Sequence, residues 1–279
     1  MHEPLASLIA ALDAPNHDSQ QAAAIHLIEM GEAAIDPLID ALTHASPRVR
    51  LLAAWVLGEI GNPRAIEPLI EALYDQDHDV QDWSAKALGE IADERAVDPL
   101  IMCLSDRRAS TRRNAAAALG WIGDEHAVQA LLLLINDEDA AVRGNVASAL
   151  GHIRDGRAVR PLLKLLDDSD PWVRIRTAKS LGTIGHYHAT ESLVAHMKDE
   201  NEWVRHNIVW ALGRIRDGRG FDSLLIALND KSANVRRAAA ESLGQMADPR
   251  AIEPLKACIN DSDKGVTEAV RNSLRMLGV

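Results

Sequence analysis

The dipeptide Leu-Gly returns every 31 residues, at Leu57-Gly58, Leu88-Gly89, Leu119-Gly120, Leu150-Gly151, Leu181-Gly182, Leu212-Gly213 and Leu243-Gly244. A fixed period of this size marks units that each form one supersecondary element. No such unit buries its apolar face alone, so neighbours must stack. The spacing therefore predicts a solenoid, with function on a surface rather than in a cleft. Registering the chain on Leu-Gly places unit starts at Ile35, Ile66, Val97, Val128, Val159, Thr190, Phe221 and Ile252, after an irregular first unit from Met1. The expected fold is all-α, an α-α superhelix of about nine helix pairs, right-handed, with second helices on the inner curve.

Both halves of a unit have helical periodicity. Val159, Leu162, Leu163 and Leu166 recur at spacings of three and four, one face of a helix. A proline stands early in many first helices, as at Pro37, Pro68 and Pro161, where a missing N–H costs little. Aspartates at Asp75, Asp106, Asp137, Asp168, Asp199, Asp230 and Asp261 are expected to close these helices. Second helices should open after Ser46, Asp77, Asp139, Asp170, Asn201, Ser232 and Asp263, whose side chains can accept from free backbone N–H groups. Some should end at glycines such as Gly61, Gly123 and Gly185.

The strings PRVRLLAAWVLGEIGNPRAIEPL and ANVRRAAAESLGQMADPRAIEPL resemble the short HEAT-like repeats named for phycobiliprotein lyases. The likeness covers nearly the whole chain. It implies the solenoid fold and a surface stripe on the concave side. As an alternative function it implies a bilin lyase or tetrapyrrole-protein chaperone subunit. A hydroxylase branch of the same superfamily holds two irons on His-Glu pairs. The matching positions here include Leu51-Leu52, Asp82-Trp83, Ile175-Arg176 and His206-Asn207. That activity is set aside.

No break for a linker interrupts the repeats, so residues 1–279 read as one domain. A cap unit is expected over 1–34, regular repeats over 35–251 and a second cap unit over 252–279. Gln20, Gln21, Arg271 and Asn272 supply the polar ends that a solenoid needs. No apolar run approaches the roughly 18–20 residues of a membrane helix, and the start lacks a basic leader, so a cytoplasmic monomer is expected. Cys103 and Cys258 occupy equivalent positions five units apart and read as separate buried thiols.

Comparison of the units with one another shows six positions in each second helix that change character. In the second unit they are Pro47, Arg48, Leu51, Leu52, Trp55 and Glu59, one stripe opposite the Ala/Leu face. All six tryptophans fall there: Trp55, Trp83, Trp121, Trp172, Trp203 and Trp210. Tryptophan is enriched in binding hot spots; an aliphatic core that expels the ring is the competing explanation. The densest group combines Trp172, Ile175, Arg176, Lys179, Trp203, His206, Asn207, Trp210 and Arg214. Rings beside guanidinium groups favour an acidic-aromatic protein or peptide segment. A second patch joins Trp55, Trp83 and Trp121 with Leu51 and Leu52.

The stripe carries eight basic and seven acidic residues, in a chain of net charge −11. A nucleic-acid reader needs a basic footprint, so nucleic acid is not an expected partner, and neither is a membrane. The repeated arginines Arg50, Arg112, Arg143, Arg174, Arg205 and Arg236 stand in register with the aspartates and predict a structural Asp–Arg ladder. His196 reads as a half-buried neutral histidine. His186 and His188 have no third ligand nearby. No catalytic set, metal site or cofactor motif assembles, and the expected function is a non-enzymatic binding scaffold.

Overall fold

The computed structural model describes residues 5–279, in two compact units: residues up to Leu134 and residues from Ile135 onward. Residues 1–4, where the first unit was expected to begin, lie outside the described residues. Among the described residues there are eighteen α-helices and no strand. Unit 1 holds α1 (Leu5–Ala11), α2 (His17–Met30), α3 (Ile35–Ala41), α4 (Pro47–Ile60), α5 (Ile66–Ala72), α6 (His78–Ile91), α7 (Val97–Cys103), α8 (Ala109–Ile122) and α9 (Val128–Leu133). Unit 2 holds α10 (Ala140–Ile153), α11 (Val159–Lys164), α12 (Pro171–Ile184), α13 (Thr190–Ala195), α14 (Glu202–Ile215), α15 (Phe221–Ala227), α16 (Ala233–Met246), α17 (Ile252–Ala257) and α18 (Lys264–Met276). Each of the eight unit starts expected from Leu-Gly registration begins a helix. The protein is an α-α solenoid of short first helices and longer second helices. No helix of the described residues is long and apolar enough to cross a membrane.

The repeated glycine exists for close approach between second helices. A Cβ on Gly58 would lie 2.8 Å from Ala87 Cα, and on Gly182 2.7 Å from Ala211 Cα. On Gly213 it would lie 2.9 Å from Ser242 Cα. Only glycine lets the backbones meet at that distance. In α16 and α18 the residue opposite is a serine that also bonds across: Ser242 Oγ donates to Val209 O at 3.1 Å and Ser273 Oγ to Ala240 O at 2.8 Å. The leucine before each glycine is buried, with Val, Ala and Leu from both helices around it.

Helix ends follow the expected chemistry with exceptions. Asp77, Asp139, Asp170, Asn201 and Asp263 cap second helices through their side chains. Ser46 and Ser232 occupy the cap position without that bond; Ser46 Oγ donates to Asp13 instead, and Ser232 Oγ to Glu202. Gly61, Gly123 and Gly185 end their helices in the left-handed region, whereas Ala92, Arg154, Arg216 and Ala247 take the same conformation with a side chain, at φ of 55°, 60°, 55° and 54°.

The aspartates do not close the first helices; they stand beyond the helix ends and fasten neighbouring loops. Asp75 accepts from the Asp77 backbone N–H at 2.8 Å and from Arg50 Nε at 2.7 Å. The ladder expected from register is present: Arg143 to Asp168 and Arg174 to Asp199 at 2.7 Å, Arg205 to Asp230 and Arg236 to Asp261 at 2.8 Å. Each of these arginines also donates Nη1 to carbonyls of its own loop, as Arg143 does to Asp137 O at 2.8 Å. Burial works to raise the Asp168 carboxyl, but the Arg143 hydrogen bonds, the Asp170 N–H and the cationic charges outweigh it and hold the group below its ordinary range. In α6 the ladder position is Gln81, and Asp106 is met instead by Arg108 at 3.5 Å. Gln20, expected as a polar cap, is buried and donates to Ala14 O at 2.7 Å.

Candidate functional site

Apart from the buried Gly144, Ala238 and Ala269, the variable positions of the second helices from α4 to α18 are half-buried or exposed and lie opposite the residues those helices bury, so they form the outward face of the second-helix layer. In unit 2 this face is hollowed into a groove of about 310 Å³ across α10, α12 and α14, lined by Ser148, His152, Trp172, Ile175, Arg176, Lys179 and Asn207 among others. Gly144 makes room for it: a Cβ there would meet Arg176 Cδ at 3.2 Å and Trp172 Cδ1 at 3.7 Å. Trp172 is 54% exposed and Trp203 48%, so neither is consumed by packing. Arg176 lies with its guanidinium carbon 4.8 Å from the Trp172 ring centroid, a cation–π stack. Its Nη1 donates to Ser148 Oγ at 2.8 Å, and its Nε is buried with no partner. Burial pushes the Arg176 guanidinium below its ordinary value.

The remaining residues of that patch divide into two kinds. Lys179 and Arg214 are exposed, and Arg214 lies 5.9 Å from the Trp210 ring. Trp210 is half-buried with its six-membered ring over Gly182, where a Cβ would approach it to 2.8 Å. That ring is partly a packing element. His206 is edge-on to Trp203 at 5.8 Å and its Nδ1 lies 3.2 Å from Asn234 O. Asn207 Nδ2 donates to Trp203 O at 2.8 Å. Ile175, on α12, is half-buried and lines the groove. His152 was missed from the sequence, although it stands where the second unit has Glu59; Ser148 likewise stands where that unit has Trp55. Burial lowers the His152 pKa, and Lys179, Arg154 and Arg176 lower it further.

Unit 1 builds a different surface from the same positions. Trp55 and Trp83 meet at 6.2 Å with their planes tilted by 57°, and Trp55 Nε1 donates to Glu59 at 3.0 Å. Lys86 Nζ lies 4.3 Å over the Trp83 ring and 3.5 Å from Glu90. Burial raises the Glu90 carboxyl; Lys86 opposes that shift and Glu59 adds to it. Trp121, 47% exposed, lies over Gly89. Trp83, Trp121, Asp79, Asp82, Lys86 and Arg113 line a hollow of about 370 Å³. A larger hollow of about 600 Å³ lies by Tyr74, Arg50 and Asp75, where the groups are already engaged by the ladder.

Outside the stripe, His196 is half-buried as expected and is tied to its surroundings: its Nε2 lies 2.9 Å from Asp167 and its Nδ1 2.7 Å from Ser192 O. Burial lowers its pKa, but Asp167 and the Ser192 carbonyl prevail and raise it. Cys103 is buried, and burial pushes its thiol up to about 11, whereas Cys258 is only half-buried; both are free. His186 Nδ1 accepts from the His188 backbone N–H at 3.2 Å, a turn contact. Among the described residues no group of three or more His, Cys, Asp or Glu could hold a metal ion.

Stacked helix pairs with a variable second-helix face define an α-solenoid repeat protein. The family model described as HEAT repeats matches residues 5–88, 66–139, 130–202 and 190–275, so the chain belongs to the HEAT-repeat family. Among solved structures, the chain is similar to the complex of CpcE and CpcF of phycocyanin lyase from Nostoc sp. PCC7120, at 25% identity, with 76% of this chain and 94% of that chain covered and a TM-score of 0.54. It is similar to YibA of E. coli at 21% identity, 95% and 99% covered, TM-score 0.66. It is also similar to a chain in the complex of Kap95p with RanGDP at 15% identity, covering 98% of this chain and 45% of that one, TM-score 0.67. No curated protein matches the chain.

Proposed function

We propose that the protein is a non-enzymatic scaffold, acting in the cytoplasm as a monomer, that binds a protein or peptide segment of acidic-aromatic character along its second-helix face. The observation that carries this reading is the pair Trp172 and Trp203, equivalent positions on α12 and α14, both about half exposed, with the Arg176 guanidinium stacked on Trp172 and the His206 ring edge-on to Trp203. Exposed indole rings are costly to leave in water and are the side chains most often found at binding hot spots. Within each unit consecutive second helices pack along their lengths, while consecutive first helices barely meet. A two-layer stack bends toward its closer layer, which supports a concave second-helix face.

Trp172→Ala combined with Trp203→Ala should weaken a partner captured from native lysate by at least about tenfold, since a central hot-spot ring contributes about 2 kcal/mol or more. Helicity should persist, because neither ring is core. Capture of the same partner at parental affinity by the double variant would overturn the assignment and move the anchor to Trp55, Trp83 and Trp121. The likeness to the phycocyanin lyase complex supports a second reading, a tetrapyrrole-handling subunit. A bilin absorption spectrum unchanged on mixing with the protein would remove it.

A further inference from the structure

We propose that the groove of α10, α12 and α14 is a receptor for a side-chain carboxylate, an Asp or Glu of the bound segment, which docks on Arg176. This inference rests on the reading of the second-helix face as a binding surface and names the chemistry of its anchor.

Arg174 and Arg176 stand two residues apart on α12, yet their surroundings differ in kind. Arg174 has both oxygens of Asp199, at 2.7 and 3.0 Å, and two backbone carbonyls, so its charge is compensated within the fold. Arg176 has no carboxylate among the described residues; its one hydrogen bond goes to a neutral hydroxyl, Ser148 Oγ. Its Nε is buried and unpartnered, and no described residue accepts from its Nη2. Lys179 and His152 line the same groove, so the titratable side chains beside Arg176 there are one cation and an imidazole whose pKa is lowered, with no carboxylate among them.

A guanidinium drawn from water without a counter-charge costs free energy unless an anion completes it. Folding stability gives no reason to keep Arg176 so, because the ladder places a carboxylate against every rung arginine of α10, α12, α14 and α16. The stack on Trp172 and the Ser148 bond fix the guanidinium plane before a ligand arrives, which lowers the ordering cost of binding. With Nη1 already committed to Ser148 and Nε buried, Nη2 is the donor left for a ligand. That suits a monoanionic carboxylate, while the half-buried Ile175 and the exposed part of Trp172 form an apolar wall for its methylene groups.

The test titrates the full chain with an acetylated and amidated peptide, Gly-Glu-Leu-Glu-Gly, while nuclear magnetic resonance follows the Trp172 indole N–H and the His152 ring protons. A saturable shift of both signals is expected. The peptide with Gln in place of Glu should bind at least about tenfold more weakly, as should the Glu peptide to Arg176→Gln, the loss of one charge-assisted bond. Arg176→Lys should fall between parent and Arg176→Gln, because it keeps the charge and loses the planar guanidinium held by Trp172 and Ser148. Equal affinity for the Glu and Gln peptides overturns the proposal, and that arm needs no variant to fold. So does saturation by inorganic phosphate alone, or by the Gln peptide with a free C-terminus. Failure of the peptide with capture still dependent on Trp172 and Trp203 overturns the carboxylate receptor and leaves the scaffold reading standing; loss of that dependence overturns the scaffold reading itself.

Discussion

Unit 1 and unit 2 place tryptophans on the same second-helix stripe and surround them with different charges. In unit 1 the rings belong to a surface of mixed charge: Trp55 is tied to Glu59, and Trp83 and Trp121 share a hollow with Asp79, Asp82, Lys86 and Arg113. Its cations are partly spent internally, Lys86 on the Trp83 ring and on Glu90. In unit 2 the rings of Trp172 and Trp210 face Arg176 and Arg214, and no carboxylate neutralises Arg176. The repeat therefore separates scaffold from surface. The Leu-Gly seam and the ladder hold the stack, and six free positions per second helix decide which charge the surface offers.

The units also differ in how they are fastened. Unit 2 has four consecutive Arg–Asp rungs, whereas in unit 1 the rung from Arg50 to Asp75 is followed by Gln81. Arg143→Ala should break this contrast most severely. It strands Asp168, whose side chain is 6% exposed, and loosens the α10 loop, at a cost on the order of 3 kcal/mol. Lys179→Ala, on the exposed face, should change stability by less than about 0.5 kcal/mol. Equal melting temperatures for the two variants would show that the rungs do not fasten unit 2.

Acid should sharpen the same contrast. Asp168, Asp230 and Asp261 in unit 2, and Asp75 in unit 1, titrate below the ordinary carboxylate range in the folded state. Asp217 and Asp93 are lowered to about 2, in each case first by the hydrogen bond from the arginine two residues on. A depressed carboxyl contributes stability that is complete above its unfolded pKa near about 4 and lost as pH falls through its folded value. Stability should thus fall between about pH 4 and pH 2, with unit 2 losing more than unit 1 because it holds more of these groups. Hydrogen exchange measured helix by helix across that range checks it; equal loss of protection in the two units would contradict the ladder's unequal share.

The smallest effect should be shared by both units. Ala92 ends α6 and Ala247 ends α16 in the left-handed conformation that glycine adopts at Gly61, Gly123 and Gly185. Ala92→Gly and Ala247→Gly should each stabilise by up to about 1 kcal/mol, relieving the Cβ strain. Thermal unfolding of each variant reads this directly, and no gain at either site would mean that the strain is already absorbed by the turn.

Much of this architecture could be read before any coordinates. The 31-residue period fixed the helix pairs and their starting residues, because each unit must present its apolar face in the same register to the next. The arginine and aspartate registers foretold the ladder, since the repeat translates each pair by one unit without changing its geometry. The free stripe and its tryptophans were equally legible, because positions that need not match the repeat are the ones that vary.

What the sequence could not settle is which side chains on that stripe are already used. Trp172 and Trp210 look alike in sequence, but Trp210 lies over the Gly182 backbone while Trp172 stands half in water. Arg174 and Arg176 are separated by two residues, yet one meets Asp199 from the next pair and the other meets no carboxylate. Periodicity specifies which residues face the core because burial repeats with the backbone. Partnership across helices depends on the reach and direction of individual side chains from different units, and that is decided only when the helices pack.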